Sequence, residues 1–333
     1  MKFEKILTDG ERILKQLSLK KAAHIALEQY MGLSDEETLL VISDYKTRDI
    51  GLALFEAGLN IADEAYYMEM MPRSVNGEEP PDVIARMMKE VDVVICPTIK
   101  SLTHTNARRE ASRLGVRIGT MPGITEDTMI RCLNADAYRI VELSNKVNRA
   151  LADATEIRVE TLLGTNLTIP VKGRKIFSST GVIRNIGESG NLPSGEVYLS
   201  PWEGKTYGKV VFDASFSEIG MLDNPITIEI DKGYAEKISG KTEARELSRI
   251  LNKVGNEARQ VAEFGIGTNY QARICGDILE DEKVLGTIHV AFGNNVSMGG
   301  IISVPLHLDG IVLNPTVYVD GEMIIDNGNL LIK

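Results

Sequence analysis

Histidine and cysteine are scarce in this chain, with four of the first and three of the second among 333 residues. Cys96, Cys132 and Cys275 are odd in number, far apart and set among apolar neighbours. That pattern excludes a disulfide framework and reads as three buried free thiols in a reducing compartment. No apolar run approaches the roughly 18 residues that a membrane span requires. The opening MKFEKILTDG lacks both a continuous apolar stretch and a small-residue cleavage site, so no signal peptide is expected. Basic residues form no stripe and the formal net charge is −10, which argues against nucleic acid as a partner. No GxGxxG follows the first strand, so a dinucleotide site has no support. Neither an internal repeat nor a low-complexity linker is present. The absences leave a soluble cytoplasmic enzyme as the expectation, and the length suggests two domains.

What is present first is an alternation of strands and helices. TLLVISD (38–44) reads as a buried strand, and TRDIGLALFEAGLN as a helix ending at a glycine. ADEAYYMEM is the next strand, DVIARMMKE a helix, and VDVVICP (91–97) an apolar run typical of a parallel strand buried on both faces. THTNARREASRLG and VRIGTMPG continue the pattern. Together they predict an α/β fold with a doubly wound parallel sheet over residues 1–154. A helix of about twenty residues, DAYRIVELSNKVNRALADAT, closes that domain, with Ile140, Leu143, Val147 and Leu151 as its core stripe. From residue 155 to 333 the period changes to two, and a β-rich α+β domain is expected. ARELSRILNKVGNEARQVAEFG is its one prominent helix.

Two of the four histidines crowd into GTIHVAFGNNVSMGGIISVPLHLDG. On a strand, His307 and Asp309 stand at i and i+2 and share a face, and His289 lies eighteen residues upstream. An imidazole and a carboxylate joined by a donor from a neighbouring strand make one side of a metal's coordination sphere. Carboxylates are supplied nearby. Glu263 sits between apolar residues in VAEFGIGTN, where it is costly unless paired or metal-bound. Of Glu280, Asp281 and Glu282, two read as a solvated turn and one as a candidate ligand; Glu196 lies in NLPSGEVYLSP. His104 starts a helix after a strand end, where open α/β sheets bind ligands, and Arg108 one turn on can grip a substrate carboxylate. His24 reads as structural or exposed, and Tyr318 and Asp320 as a hairpin strand and its turn.

The segments NLPSGEVYLSP, AEFGIGTN, LEDEKVLGTIHVAFG and VPLHLDGIVLNPTVYVDGE resemble, in that order, the C-terminal metal domain of the M29 (aminopeptidase T-like) peptidases. The resemblance covers residues 155–333 and implies Glu196, Glu263, Glu282, His289, His307 and Asp309 as ligands of zinc, cobalt or manganese. It also implies a homodimer and a peptide or amide substrate attacked by a metal-activated water. Two positions depart from that family. Gly195 stands where a glutamate is expected, which makes Glu196 the default general base, and the GNNVSMGG segment places Val296 where a tyrosine donor is expected. The HLD ending also resembles the 2,5-dihydroxypyridine dioxygenases, which implies one Fe(II) on His289, His307 and Asp309. Because Glu196, Glu263 and Glu282 exceed what one iron needs, a metallo-aminopeptidase-like hydrolase ranks first on sequence and the dioxygenase second. A non-catalytic metal-binding protein is third, a reading that rests on Gly195 and Val296.

Overall fold

A computed structural model describes residues 9–332. Most of the N-terminal stretch read as lacking a signal peptide therefore lies outside the described residues. Among those residues no helix is long and apolar enough to cross a membrane. The chain forms two compact units: one runs to Ala137 and takes in Gly181–Ser194, and the other comprises Tyr138–Thr180 and the chain from Gly195 onward. The sequence places the boundary at 154/155 instead. Two facts move it. Val147, Leu151 and Ala154 join the core of the second unit, and a later segment returns to complete the first.

The first unit is a five-stranded sheet in the order Glu64–Met70, Thr38–Asp44, Val93–Thr98, Arg117–Pro122, Ser189–Asn191. Every neighbouring pair is parallel. Alternate residues of the central strands face opposite ways. Leu40, Ile42, Val94, Cys96 and Ile118 pack with Ile84, Ala107 and Ala111 from the helices Asp82–Met87 and Asn106–Arg113, and with Met88 just after the first of them. The helix Arg48–Gly58 covers the other face, its glycines lying on Ser43 and Leu39. This is the doubly wound arrangement that the unbroken apolar runs predict.

The second unit contains an eight-stranded and a seven-stranded sheet, with antiparallel pairing throughout. One apolar cluster joins them, from Ile157, Val159, Leu167, Val210 and Ile228 on the first to Val197, Phe264, Ile266, Val290 and Phe292 on the second. The helix Thr242–Val254 adds Ala244, Leu247 and Leu251. Its apolar spacing suggests a helix continuing toward Glu263, but it ends at Gly255, and Val261–Gly267 is a strand instead. Asp320, in the turn after the strand Thr316–Val319, accepts bonds from the backbone N–H groups of Thr155 and Glu156 and pins the start of this unit.

Candidate metal centre

Four adjacent strands of the seven-stranded sheet build the site: His307–Val312, Ile288–Gly293, Val261–Gly267 and Glu196–Leu199. Period two sorts their side chains. Val197, Leu199, Phe264, Ile266, Ile288, Val290, Phe292, Leu308 and Val312 enter the core. The alternate positions carry Glu196, Tyr198, Glu263, His289, His307 and Asp309, separated by Gly265, Gly267, Ala291 and Gly293. The small residues make room. A Cβ on Gly265, the cross-strand partner of His289, would lie 2.1 Å from that imidazole's Nε2. Glu263 reaches this face through a bulge. Val261 pairs with Phe292 but Glu263 pairs with Ala291, so Ala262 is the extra residue and the following strand rotates by one position. Were Ala262 paired with Ala291 in regular register, Glu263 would point into the core.

The donors converge in two groups that share Glu263: Glu263, His307 and Asp309, and Glu196, Glu263 and His289. His307 Nε2 lies 3.1 Å from Glu263 Oε2 and 3.4 Å from Asp309 Oδ1. His289 Nε2 lies 3.2 Å from Glu263 Oε1 and 3.6 Å from Glu196 Oε2. Thus the structure groups the donors differently from the His289–His307–Asp309 set expected for one iron. Burial alone would push Glu263 up, but hydrogen bonds from both histidines hold it at about 2. Burial opposes the charge on His289, yet its bond to Glu263 and the carboxylates of Glu196, Glu263 and Glu282 raise it to about 9. His307 is raised well above the usual histidine value, against burial, by Asp309 and Glu263. A pocket that favours imidazolium this strongly is one that favours a cation.

The donor set fits a metal. His307 Nδ1 lies 2.7 Å from the carbonyl oxygen of Asn294, which can only accept. Nδ1 therefore carries a proton, and an ion that displaced the proton on Nε2 would find that nitrogen's lone pair facing the carboxylates, as in metal-bound histidines. Imidazole and carboxylate together suit Fe(II), Mn, Co or Zn. His289 differs, its Nδ1 being buried without a hydrogen-bond partner.

Glu282 stands apart from both donor groups. Its carboxylate accepts from Lys283, whose ammonium also lies 3.0 Å from Glu196 Oε1. Burial pushes Glu282 up to about 8, against the pull of Lys283 and with further push from Glu196 and Asp309. The other two acids of the run are not in a solvated turn, since Glu280 and Asp281 are fully buried. Glu280 accepts from the Arg273 N–H, and Asp281 from Cys275 N–H, Gly276 N–H and the Ser215 hydroxyl. Cys275, expected to be buried, is exposed in this turn, and burial of its sulfur holds the thiol at about 12.

His104 and Arg108 belong to the first unit, whereas the six ligand candidates belong to the second. His104 is exposed just before the helix Asn106–Arg113, which Thr105 caps. Arg108 donates to the Thr103 carbonyl and the Ser189 hydroxyl, tying the strand Ser189–Asn191 to its own unit. Val296 is half exposed on a short 3-10 turn and offers no donor. Gly195 adopts φ +131° with Asn269 packed against it, so this backbone admits no glutamate. Sequence reasoning missed Lys283 and Tyr198. The signal for the first was a lysine closing an acidic run against apolar VLG. Tyr198 stacks on Phe177 at 5.4 Å, beside Glu196 on the site face.

A family model described as 2,5-dihydroxypyridine 5,6-dioxygenase (NicX) matches residues 26–332. The chain belongs to this family. A curated 2,5-dihydroxypyridine 5,6-dioxygenase from Pseudomonas putida KT2440 is 23% identical over 194 residues, and the match spans 54% of this chain and 55% of that protein. The solved 2,5-dihydroxypyridine dioxygenase of Pseudomonas putida KT2440 superposes with a TM-score of 0.80 at 18% identity, over 98% of each chain. AmpT from Thermus thermophilus superposes with a TM-score of 0.71 at 15% identity, over 95% of this chain and 100% of that one. Both resemblances read from the motifs hold at the level of fold. The family match favours the dioxygenase over the hydrolase that carboxylate number suggested. Glu196 and Glu282, counted as surplus ligands, share the Lys283 ammonium.

Proposed function

We propose that this protein is a non-haem iron(II) dioxygenase that opens a hydroxylated aromatic nitrogen heterocycle, with Glu263, His307 and Asp309 holding the ion. The family match across residues 26–332 carries the reading. When bound, iron(II) supplies the redox chemistry that lets dioxygen react with an aromatic ring. The chain supplies the rest. Glu263, His307 and Asp309 would hold the ion through one imidazole and two carboxylates, a donor set of the kind that leaves an iron open to small ligands. Tyr198 and Phe177 offer a flat stack on which a ring can lie. His289, fully buried against Glu263, can hold a proton and deliver it to a ring oxygen. His104 and Arg108 keep a proposed substrate-binding role, and replacing His104 should raise KM at unchanged metal content.

A two-ion hydrolase is the second reading, and the sharing of Glu263 between the two donor groups favours it, since a bridging carboxylate is how two ions sit together. Oxygen uptake separates the readings. Protein loaded anaerobically with iron(II) should consume oxygen with 2,5-dihydroxypyridine, and His307→Ala should abolish uptake with loss of bound iron. Cleavage of a leucyl amide by zinc, cobalt or manganese protein, with no oxygen uptake on any dihydroxylated ring, would overturn the first reading.

A further inference from the structure

We infer that Lys283 is a built-in cation that fills the place of a second metal ion and holds this centre to one ion per chain. The inference rests on the metal-centre reading and is incompatible with the two-ion hydrolase. The second donor group, Glu196, Glu263 and His289, has the chemistry of a complete ion site. Lys283 already occupies one of its oxygens. The ammonium lies 3.0 Å from Glu196 Oε1 and bonds Glu282 on its other side. A divalent ion approaching Glu196, with Glu282 as a further donor, would meet that ammonium at contact distance and be repelled by it.

The lysine has nowhere else to go. Its side chain is 2% exposed. Its backbone is clamped onto the sheet face, with its carbonyl accepting from Asn269 N–H at 2.8 Å and its N–H donating to Glu280 O at 2.9 Å. Gly267, the cross-strand partner of Glu196, permits this approach, for a Cβ there would stand 2.7 Å from the Lys283 carbonyl carbon. A lysine anchored on both sides of its peptide plane and sealed from water cannot swing aside for an ion as a surface lysine can.

Charge balance points the same way. The pocket holds the carboxylates of Glu196, Glu263, Glu282 and Asp309. One ammonium and one divalent ion leave that set one charge negative, and a second divalent ion beside the lysine would turn it net positive. Removing the lysine inverts the argument, because one ion then leaves two carboxylates uncompensated and a second becomes favourable.

The test is metal content per chain after loading with excess cobalt(II) and desalting, by elemental analysis and the cobalt absorption spectrum. The wild-type protein should hold one ion, Lys283→Met two, and Lys283→Arg, which keeps the charge, one. Two ions in the wild type would overturn the role of Lys283 while leaving the metal centre standing, and this outcome is read even if the methionine variant does not fold. One ion in a folded Lys283→Met would also overturn it. No bound ion in any of the three proteins would instead remove the metal centre itself, and the inference with it.

Discussion

At Gly265, an absent side chain decides where the His289 imidazole can sit. Its missing Cβ is the space that the His289 imidazole fills. Gly265→Ala should displace that ring, cost about 1–3 kcal/mol of stability through overpacking, and be visible as a lowered melting temperature; an unchanged melting point would mean that the ring has other room. Protonation of the same residues governs the metal-free protein. Glu263 is depressed from 4.5 to about 2, so its contribution is complete above pH 4.5 and fades as pH falls toward 2. His289 is raised from 6.5 to about 9, so its contribution is complete below pH 6.5 and fades as pH rises through 9. Metal-free protein should therefore be most resistant to urea between about pH 4.5 and 6.5, and added metal should restore stability above that window, because ligands bind ions only when deprotonated. A urea midpoint that climbs steadily to pH 9 without metal would refute the assignment. His307 and Asp309 were legible from sequence because i and i+2 on a strand is a local relation. Lys283 was not, since its partner Glu196 is far away in the chain and its burial depends on a close approach over Gly267.

Elements carry the next layer, and the bulge at Ala262 is the clearest case. Strand periodicity told which residues of VAEFGIG alternate, but the register against the His289 strand is a tertiary property. The extra residue turns Glu263 from the core face to the donor face. Deleting Ala262 makes the strand regular and leaves Glu263 opposite Ala291 on the donor face, so the variant should keep its bound ion. Loss of bound metal in the deletion variant, measured by elemental analysis, would show that the face is set otherwise. The same segment misled the helical reading, since the apolar spacing of Leu247, Leu251, Val254 and Ala258 continues past Gly255, where the backbone turns away. The parallel strands of the first unit were easier, because burial on both faces writes an unbroken apolar run into the sequence.

Over the whole molecule, all six ligand candidates lie in one unit. An ion that binds the folded state at a hundred times its dissociation constant adds about 2.7 kcal/mol, and the protection it confers should be local. Hydrogen exchange after metal addition should slow in 196–199, 261–267, 288–293 and 307–312 and stay unchanged in the parallel strands 38–44 and 93–98. Equal slowing in both sets would show that the ion stabilises more than its own unit. Fold class was legible at this scale, whereas the division at 154/155 missed the return of Ser189–Asn191 to the first sheet. That return has a consequence for synthesis on the ribosome. The edge strand of the first sheet leaves the exit tunnel only after Ile176–Ser179, a strand of the second unit, has already emerged. Until then Arg117–Pro122 is a bare parallel edge, open to pairing with other nascent chains. A gene fragment stopped at codon 154 would freeze that interval permanently and should yield aggregated product, whereas translation through codon 194 supplies the missing strand.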